Sequence, residues 1–248
     1  MPRATGTGGA SWQNENAAAA TNEATFDAVT LTPSRVSSNS IVSKQLVAQS
    51  QPAIEEFLID ELGQAIATEV DRCVLNGSGV APQPQGVLAL PVNPANTYAY
   101  NARSPNITFA GAASWPTILQ FEATLDGGAQ VHNDGTYGWA AAPDVRTKWM
   151  QVPKVATYPE FLWSQPDNEI DGRVAGRKAV SSSQMPTGTV IFGRWSDAMI
   201  ATRAGAEILV NPYVKAVNAE HQISLNLFVA VAFRHSSAVV SSAGVASQ

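Results

Sequence analysis

The loop LNGSGVAPQPQGVL at residues 75–88 holds residue types and spacings that could do chemistry. Backbone N–H groups at Gly77 and Gly79 could bind a phosphate, and Ser78 between them could act as a nucleophile. A phosphate-binding loop, however, leads into a helix N-terminus, where the helix dipole favours an anion. These glycines follow a predicted helix instead, and N-G-S-G-V does not supply the G-x-S-x-G turn of a nucleophilic serine. The loop therefore predicts a turn of the chain and no reaction centre.

Residue types that bind metal ions lie far apart, and the three histidines are His132, His221 and His235. None belongs to an H-x-x-x-H or H-x-E pattern, which argues against a zinc site. One loop alternates Asp167, Glu169 and Asp171, but it lacks the spacing and the glycine of a calcium loop. The single cysteine, Cys73, excludes an internal disulfide and is interpreted as a small apolar group on a helix face. We therefore predict no catalytic residue, no metal and no cofactor.

The 248-residue chain is low in charge. Charged residues make up 14% of it, against roughly 25% in an ordinary soluble domain, and its formal net charge is −5. The basic residues are scattered, which argues against a dedicated nucleic-acid binder because phosphate neutralisation needs clustered Lys and Arg. Small neutral residues replace the missing charges, as expected for a surface buried against other copies or for neutral loops. No apolar run is long enough to cross a membrane and no signal peptide is visible, so we expect a chain used without export.

The element that must position the 75–88 loop is a long helix predicted over residues 52–74. Pro52 suits the first helical turn, and the glutamates after it stand where the helix dipole favours negative charge. Apolar residues then recur at spacings of three and four: Ile54, Phe57, Leu58, Leu62, Ala65, Ile66, Val70 and Cys73. About 22 residues at 1.5 Å each span roughly 33 Å, which makes the helix a rod on which other parts hang. We expect Gly77 to end it in the left-handed conformation and Pro82 to prevent its resumption.

The later patterns predict a mixture of helices and strands. Helices are predicted from residue 114 to about 125 and from residue 143 onward. Strands are predicted at residues 139–142, 177–182, 189–192, 207–210, 222–233 and 237–240. In the strand at 222–233, apolar side chains alternate on one face, which are Ile223, Leu225, Leu227, Val229, Val231 and Phe233. Small residues on its other face leave room for another element to pack closely.

The first 25 residues are low in complexity and contain few large apolar side chains. Such a segment cannot form a core alone. Two interpretations stay open, a disordered tail and an extended two-stranded arm that becomes ordered against a neighbour. Phe26, Val29 and Leu31 then predict a strand that stops at Pro33.

Taken in order, these features resemble the major capsid proteins of tailed bacteriophages, whose Hong Kong 97-type fold encapsulin shells share. PRATGTGGASWQNEN is similar to that family's Pro-Arg, small polar loop and tryptophan before an acidic position, here Trp12 and Glu15. FDAVTLTPSRVSSNSIVSKQLVAQS resembles its next block. The most specific block is EFLIDELGQAIATEVDRCVLNGSGVAPQPQGVL, with Asp71 near the helix end and then L-N-G-S-G and P-Q-G-V-L. GRKAVSSSQMP and TVIFGRWSDAMIATRAGAEI resemble later blocks, so the similarity spans nearly the whole chain.

The resemblance implies an α+β fold of the Hong Kong 97 type with an extended N-terminal loop, a peripheral domain and an inserted axial domain. It implies the extended loop at residues 1–35 and the axial domain at 88–205. The peripheral domain then comprises residues 36–87 and 206–248, with the predicted helix as its spine. The implied structural or interface residues are Arg3, Trp12, Glu15, Gly77, Gly79 and Gly86.

The implied function is structural and not enzymatic: hexamers and pentamers of the chain close into an icosahedral shell. Its implied partners are portal, scaffolding or decoration proteins, with packaged DNA enclosed without sequence readout and no membrane. The implied location is the virion, after assembly in the bacterial host cytoplasm. Three alternatives stay open: an encapsulin-like compartment, a soluble hydrolase with scattered acids or a histidine, and a glycan-binding module that uses exposed tryptophans.

The sequence departs from that family's pattern in two respects. Family members usually carry an N-terminal arm, often behind a scaffolding segment, and here Met1 stands almost at the extended loop. We therefore expect an N-terminally truncated chain. Some members also join a loop lysine to an asparagine, but no lysine precedes Lys44. We expect no such isopeptide bond, and a ladder of covalent multimers in denatured material would contradict this.

Overall fold

The fold is described from a computed structural model. It describes residues 2–6, 11–16, 18, 21, 23–49, 53–92, 102–107, 109, 113–126, 135–155, 158–165 and 171–242. The helices are α1 (Lys44–Gln49), α2 (Ala53–Asn76), α3 (Trp115–Asp126) and α4 (Pro143–Trp149). The strands are β1 (Pro2–Gly6), β2 (Thr25–Ala28), β3 (Ser34–Ser43), β4 (Tyr137–Ala141), β5 (Pro153–Val155), β6 (Tyr158–Phe161), β7 (Trp163–Ser164), β8 (Gly172–Val174), β9 (Arg177–Ser181), β10 (Val190–Arg194), β11 (Ala198–Asn211), β12 (Glu220–Phe233) and β13 (Val239–Ser242).

The first layer of the molecule is a three-stranded antiparallel sheet in the order β11-β12-β3, with α2 packed on one face. Apolar side chains alternate along β12, and those of its first half meet the apolar stripe of α2. The buried residues of this small core are Val42, Leu62, Ile66, Ile223 and Leu225. At 24 residues, α2 spans about 36 Å at 1.5 Å per residue. The periodicities read from the sequence therefore predicted both the helix and its partner strand.

The second layer is a six-stranded mixed sheet in the order β13-β10-β4-β9-β8-β7, packed with α3 and α4. Aromatic rings fill its core: Trp139 lies 4.3 Å from Phe192 and 5.1 Å from Phe121 between ring centroids. Trp149 meets Trp139 edge to face at 5.8 Å. Burial of several rings of this size gives this layer the larger share of the hydrophobic stabilisation.

Two smaller antiparallel pairs complete the fold, the β5–β6 pair and an N-terminal hairpin of β1 and β2. Together these elements confirm the α+β class. Pro52, His132, Asp167 and Glu169 lie outside the described residues. The same holds for Gly127 and Gly128, which the sequence offers as the stop of the helix predicted from residue 114 to about 125.

The structure contains β3 and α1 where the sequence predicted neither. The segment SRVSSNSIVS is rich in serine and carries few of the β-branched residues that favour strands. It is a strand because ten of its residues pair in register with β12, from Ser34 opposite Val229 to Ser43 opposite Glu220. The Ser43 hydroxyl then accepts a hydrogen bond from the Leu46 N–H at 3.2 Å and so caps α1.

The predicted conformation of Gly77 is wrong. The helix does end at Asn76, but the left-handed residue is Gly79, with φ +72°. Gly77 is needed for space, because a Cβ there would overlap the Pro84 carbonyl oxygen and stand 2.5 Å from that of Cys73. Position 77 therefore requires glycine because Pro84 of the returning loop passes too close to leave room for a side chain.

Candidate assembly surfaces

The N-terminal hairpin is closed at its base by a buried arginine. The Arg3 Nη2 lies 2.8 Å from the Asp27 Oδ2, and the two residues pair across β1 and β2. The Arg3 side chain is 8% exposed and that of Asp27 is 48% exposed. The hydrogen bond from Arg3, followed by that from the Ala28 N–H, holds the pKa of Asp27 below its ordinary value.

Arg3 also borders a cavity between the hairpin and the rest of the molecule. Leu90, Pro91, Phe233 and Ser236 line the opposite wall of this cavity. The base of the hairpin therefore lies against residues of two other segments, which fixes where the arm leaves the body.

The residues farther along the arm turn outward. Trp12 is fully exposed, Phe26 is 72% exposed, and Glu15 is exposed with no bond to a described residue. The sequence placed Arg3, Trp12 and Glu15 together as interface candidates. In the structure Arg3 acts at the base, whereas Trp12 and Glu15 present an apolar and an acidic group to the surroundings.

The three predicted glycines meet where the loop after α2 returns to the helix. The Gly77 N–H donates to the Cys73 carbonyl at 2.8 Å, and the Gly86 N–H donates to the Gly77 carbonyl at 3.0 Å. A Cβ on Gly86 would stand 2.5 Å from the same Cys73 oxygen. The loop also forms an isolated bridge between Ser78 and Gln85. This close approach packs the loop against the last turn of α2. The loop therefore faces the C-terminus of the helix, whose partial negative charge repels anions.

Cys73 lies inside this turn and behaves as a packing group. Its thiol is buried and donates to the Pro84 carbonyl at 3.6 Å. Burial raises the pKa of the Cys73 thiol, so it stays protonated and unreactive at neutral pH. This agrees with the interpretation from sequence.

An ion pair on the last turns of α2 holds the outer side of the same loop. Arg72 donates to Glu69 through Nε at 2.7 Å and Nη2 at 2.5 Å. The Gln83 amide donates to the same carboxylate at 3.4 Å. The hydrogen bond from Arg72 holds the pKa of Glu69 below its ordinary value.

A partly buried cluster around Asp197, which the sequence did not reveal, joins the two segments that run between the sheets. Asp197 ends the passage from β10 to β11, and His235 lies on the return from β12 to β13. Arg194 Nε donates to Asp197 Oδ2 at 2.8 Å, and His235 Nδ1 lies 3.2 Å from Asp197 Oδ1. The Arg234 N–H also donates to the Asp197 carbonyl at 2.9 Å. Only the spacing of Arg194 and Asp197 could have signalled this cluster from sequence. His235 follows the end of β12, which agrees with the strand-end role that its position in the sequence favours.

The acidic-turn residue Asp171 forms an exposed ion pair with Lys178, whose Nζ lies 2.8 Å from its Oδ2. No group of three metal-ligating side chains occurs among the described residues. None of the described helices is long and apolar enough to cross a membrane.

The hairpin of β11 and β12 presents a further exposed surface. Residues 202–210 of β11 are all exposed, and β11 is an edge strand of its sheet. At the tip of the hairpin, Tyr213, Val214 and Val217 expose most of their apolar surface. Exposed apolar groups at the tip of a hairpin are typical of a surface that another molecule covers.

A family model and a curated protein that match this chain are both described as phage capsid proteins. Residues 1–242 match the family described as the Phage capsid family. The major capsid protein of Halomonas phage phiHAP-1 is 25% identical over 218 residues, which cover 88% of this chain and 33% of that protein. The chain thus spans about a third of the length of the curated relative it matches.

Solved structures agree with this at the level of the fold. The capsid of a native GTA particle superposes with a TM-score of 0.80 at 17% identity, covering 98% of this chain and 83% of that one. A chain from Mycobacterium phage Bobi superposes with a TM-score of 0.67 at 17% identity, covering 98% and 84%.

Proposed function

The chain belongs to the phage capsid family, and from this we propose that it is the subunit of an icosahedral shell that encloses phage DNA. The match over residues 1–242 carries the proposal, because it includes every described element of the fold. The role is structural and not enzymatic, as the family description implies.

The exposed surfaces of the chain support this role. The arm exposes Trp12 and Phe26, and the β11–β12 hairpin exposes its apolar tip. A subunit that remained alone in water would keep these groups hydrated at a cost in free energy. In a closed shell, neighbouring copies cover them.

We propose that the two sheets correspond to the two domains of such a subunit. The peripheral domain comprises α2 as its spine with β3, β11 and β12, and the axial domain comprises the six-stranded sheet with α3 and α4. β11 spans the predicted boundary at 205–206, and β13 pairs with β10 in the axial sheet. We therefore propose to assign all of β11 to the peripheral domain and β13 to the axial domain. The arm before β3 forms the extended loop.

The partners and location follow from the shell. Copies of the chain form its hexamers and pentamers, and portal, scaffolding or decoration proteins complete the particle. The protein is then a virion component that assembles in the host cytoplasm. Arg3, Trp12, Glu15, Gly77, Gly79 and Gly86 remain proposed structural or interface residues.

The comparisons support none of the three alternatives, which are an encapsulin-like compartment, a hydrolase and a glycan-binding module. The matching family and the curated relative are described as phage capsid proteins, which favours a phage shell over an encapsulin-like compartment.

Electron microscopy combined with light scattering of the purified chain tests the proposal. We expect closed shells or flat hexameric sheets above a threshold concentration. A monomer at every concentration that binds a small ligand tightly would overturn it.

A further inference from the structure

Arg103 is a cation that the protein encloses without a carboxylate beside it. The residue is 8% exposed and lies on a segment that runs along β13, where the Ser104 N–H donates to the Val239 carbonyl at 3.0 Å. An arginine stays charged at neutral pH, and burial of a charge without a counter-ion is strongly unfavourable. The same burial lowers the pKa of Arg103. A group of this kind requires a partner of opposite charge.

The hydrogen bonds that Arg103 makes to described residues all lead to neutral acceptors. Its Nε donates to the Leu90 carbonyl at 3.1 Å, and its Nη1 donates to the Asn106 Oδ1 at 2.8 Å and to the Ser241 hydroxyl. Its Nη2 donates to no described residue. This nitrogen is also not one of the fully buried polar atoms without a partner, so it keeps contact with solvent. The two N–H groups of Nη2 are therefore accessible to a ligand that enters from outside.

The side chains of the segments around Arg103 do not supply the missing charge. Leu90 and Asn106 belong to a stretch, residues 72–121, that contains no aspartate and no glutamate. Ser241 belongs to a second such stretch, residues 221–248. Both segments that contact Arg103 therefore lack acidic side chains over their whole length, and the counter-ion has to come from elsewhere.

The polar groups near Arg103 are of the types that bind oxyanions. Ser104 and Ser241 are buried beside it, and the Ser104 hydroxyl donates to the Ser237 carbonyl at 2.6 Å. The Ser237 hydroxyl is fully buried and has no partner among the described residues, so the cluster contains a further donor. Asn106 is exposed and marks the outer rim of the cluster. Guanidinium N–H groups and hydroxyls are the donors that phosphate and similar anions accept from.

We propose that Arg103 is the centre of a small-oxyanion site, in which inorganic phosphate accepts hydrogen bonds from Nη2 at the rim marked by Asn106. The opening is narrow, because so little of Arg103 is exposed, and this favours a free ion over a side chain carried by another protein. The bound ion neutralises Arg103 and so strengthens its hold on Leu90, Asn106 and Ser241. The site is independent of the proposed shell function, because a single copy of the chain contains all of it.

Phosphorus NMR with inorganic phosphate, at fixed ionic strength, tests the proposal on the full chain. Two or three charge-assisted hydrogen bonds should give a Kd of about 1 mM. We expect saturable broadening of the phosphate resonance by the wild-type chain. At about ten times that Kd, the midpoint of thermal unfolding should rise by about 2–5 °C. Potassium chloride at the same ionic strength should produce neither change.

Two variants at the site separate the charge from the fold. Arg103→Gln removes the cation and should weaken phosphate binding at least about tenfold. Asn106→Asp keeps the shape of the side chain and places a carboxylate oxygen where the Asn106 Oδ1 lies, 2.8 Å from Nη1. Because this carboxylate supplies the counter-charge within the chain, the midpoint of thermal unfolding should rise without phosphate. Added phosphate should then give no further rise.

Arg35→Gln supplies the matched control. Arg35 lies in the three-stranded sheet, is exposed and makes no bond to a described residue. Its replacement changes the net charge by the same amount as Arg103→Gln without altering the proposed site. Phosphate binding should therefore stay within about twofold of wild type.

The outcomes separate the oxyanion site from the shell function. A wild-type chain without saturable phosphate binding would overturn the site. Equal binding by Arg103→Gln, or an equal loss in Arg35→Gln, would reveal an adventitious surface effect and overturn it as well. A wild-type chain that binds no phosphate and gains stability only on assembly would assign the counter-charge to a second copy, which also overturns the free-ion site. Failure to form shells would overturn the shell function and leave the phosphate result unaffected.

Discussion

The core of the six-stranded sheet buries its aromatic side chains, whereas the N-terminal arm exposes its own. In the sheet, Trp139 is 1% exposed and touches Phe121, Trp149 and Phe192. In the arm, Trp12 is fully exposed and Phe26 is 72% exposed. Stability therefore depends on the sheet, and we propose that the arm serves association.

Removing the central ring of the sheet should have the largest effect. Trp139→Ala leaves a cavity among three aromatic partners, and we expect a loss of roughly 3–5 kcal/mol in the free energy of unfolding. Denaturant unfolding followed by circular dichroism measures it. The same substitution at Trp12 is the matched control and should leave that free energy nearly unchanged. Equal losses at the two positions would break the comparison.

Substitution of Gly77 should have an intermediate effect, because it lies where α2 meets the loop that leads toward the six-stranded sheet. The side chain of Gly77→Val would overlap the Pro84 and Cys73 carbonyls, and we expect a loss of about 1–3 kcal/mol. We expect no reaction to be abolished, since none is proposed.

Gly63 provides the control within the same helix. A Cβ there meets nothing within 4 Å, so Gly63→Ala should stabilise the chain by about 0.5–1 kcal/mol. Thermal unfolding compares the two variants. A Gly77 variant as stable as wild type would show that the loop can move away, contrary to the close approach seen here.

Acid should have the smallest effect, and it should act on the base of the arm. The pKa of Asp27 is lowered from its ordinary 3.8 by the hydrogen bond from Arg3. The folded carboxylate therefore adds stability above that value, and this contribution is lost as the pH falls through the lowered pKa. The Ala28 amide, which donates to the Asp27 Oδ1 at 2.7 Å, reports the titration by NMR.

Arg3→Gln is the matched variant for this titration. It retains a long polar side chain but removes the charge, so the pKa of Asp27 should return toward its ordinary value. A wild-type Asp27 that titrates at or above that ordinary value would contradict the role of Arg3.

The sequence by itself determined the elements in which apolar side chains recur at the spacing of a helix or of a strand. The stripe on α2 and the alternation along β12 are local, since a 3.6-residue or 2-residue period aligns apolar groups on one face of a single segment. The class of the fold and the resemblance to capsid proteins followed from such segments taken in order. The prediction that the 75–88 loop holds neither a phosphate nor a nucleophile also rests on local order, because its glycines follow a helix.

Only the tertiary structure decided what depends on residues distant along the chain. β3 is a strand because β12 pairs with it, and Gly77 must be glycine because Pro84 returns to it. Asp197 and His235 meet because the segment from β10 to β11 lies beside the segment from β12 to β13. Arg103 and Ser241 likewise meet only because residues 103–107 lie along β13. A periodic pattern in one segment shows which of its faces is buried. The contacts named here depend instead on how several segments are arranged in space, and no single segment determines that arrangement.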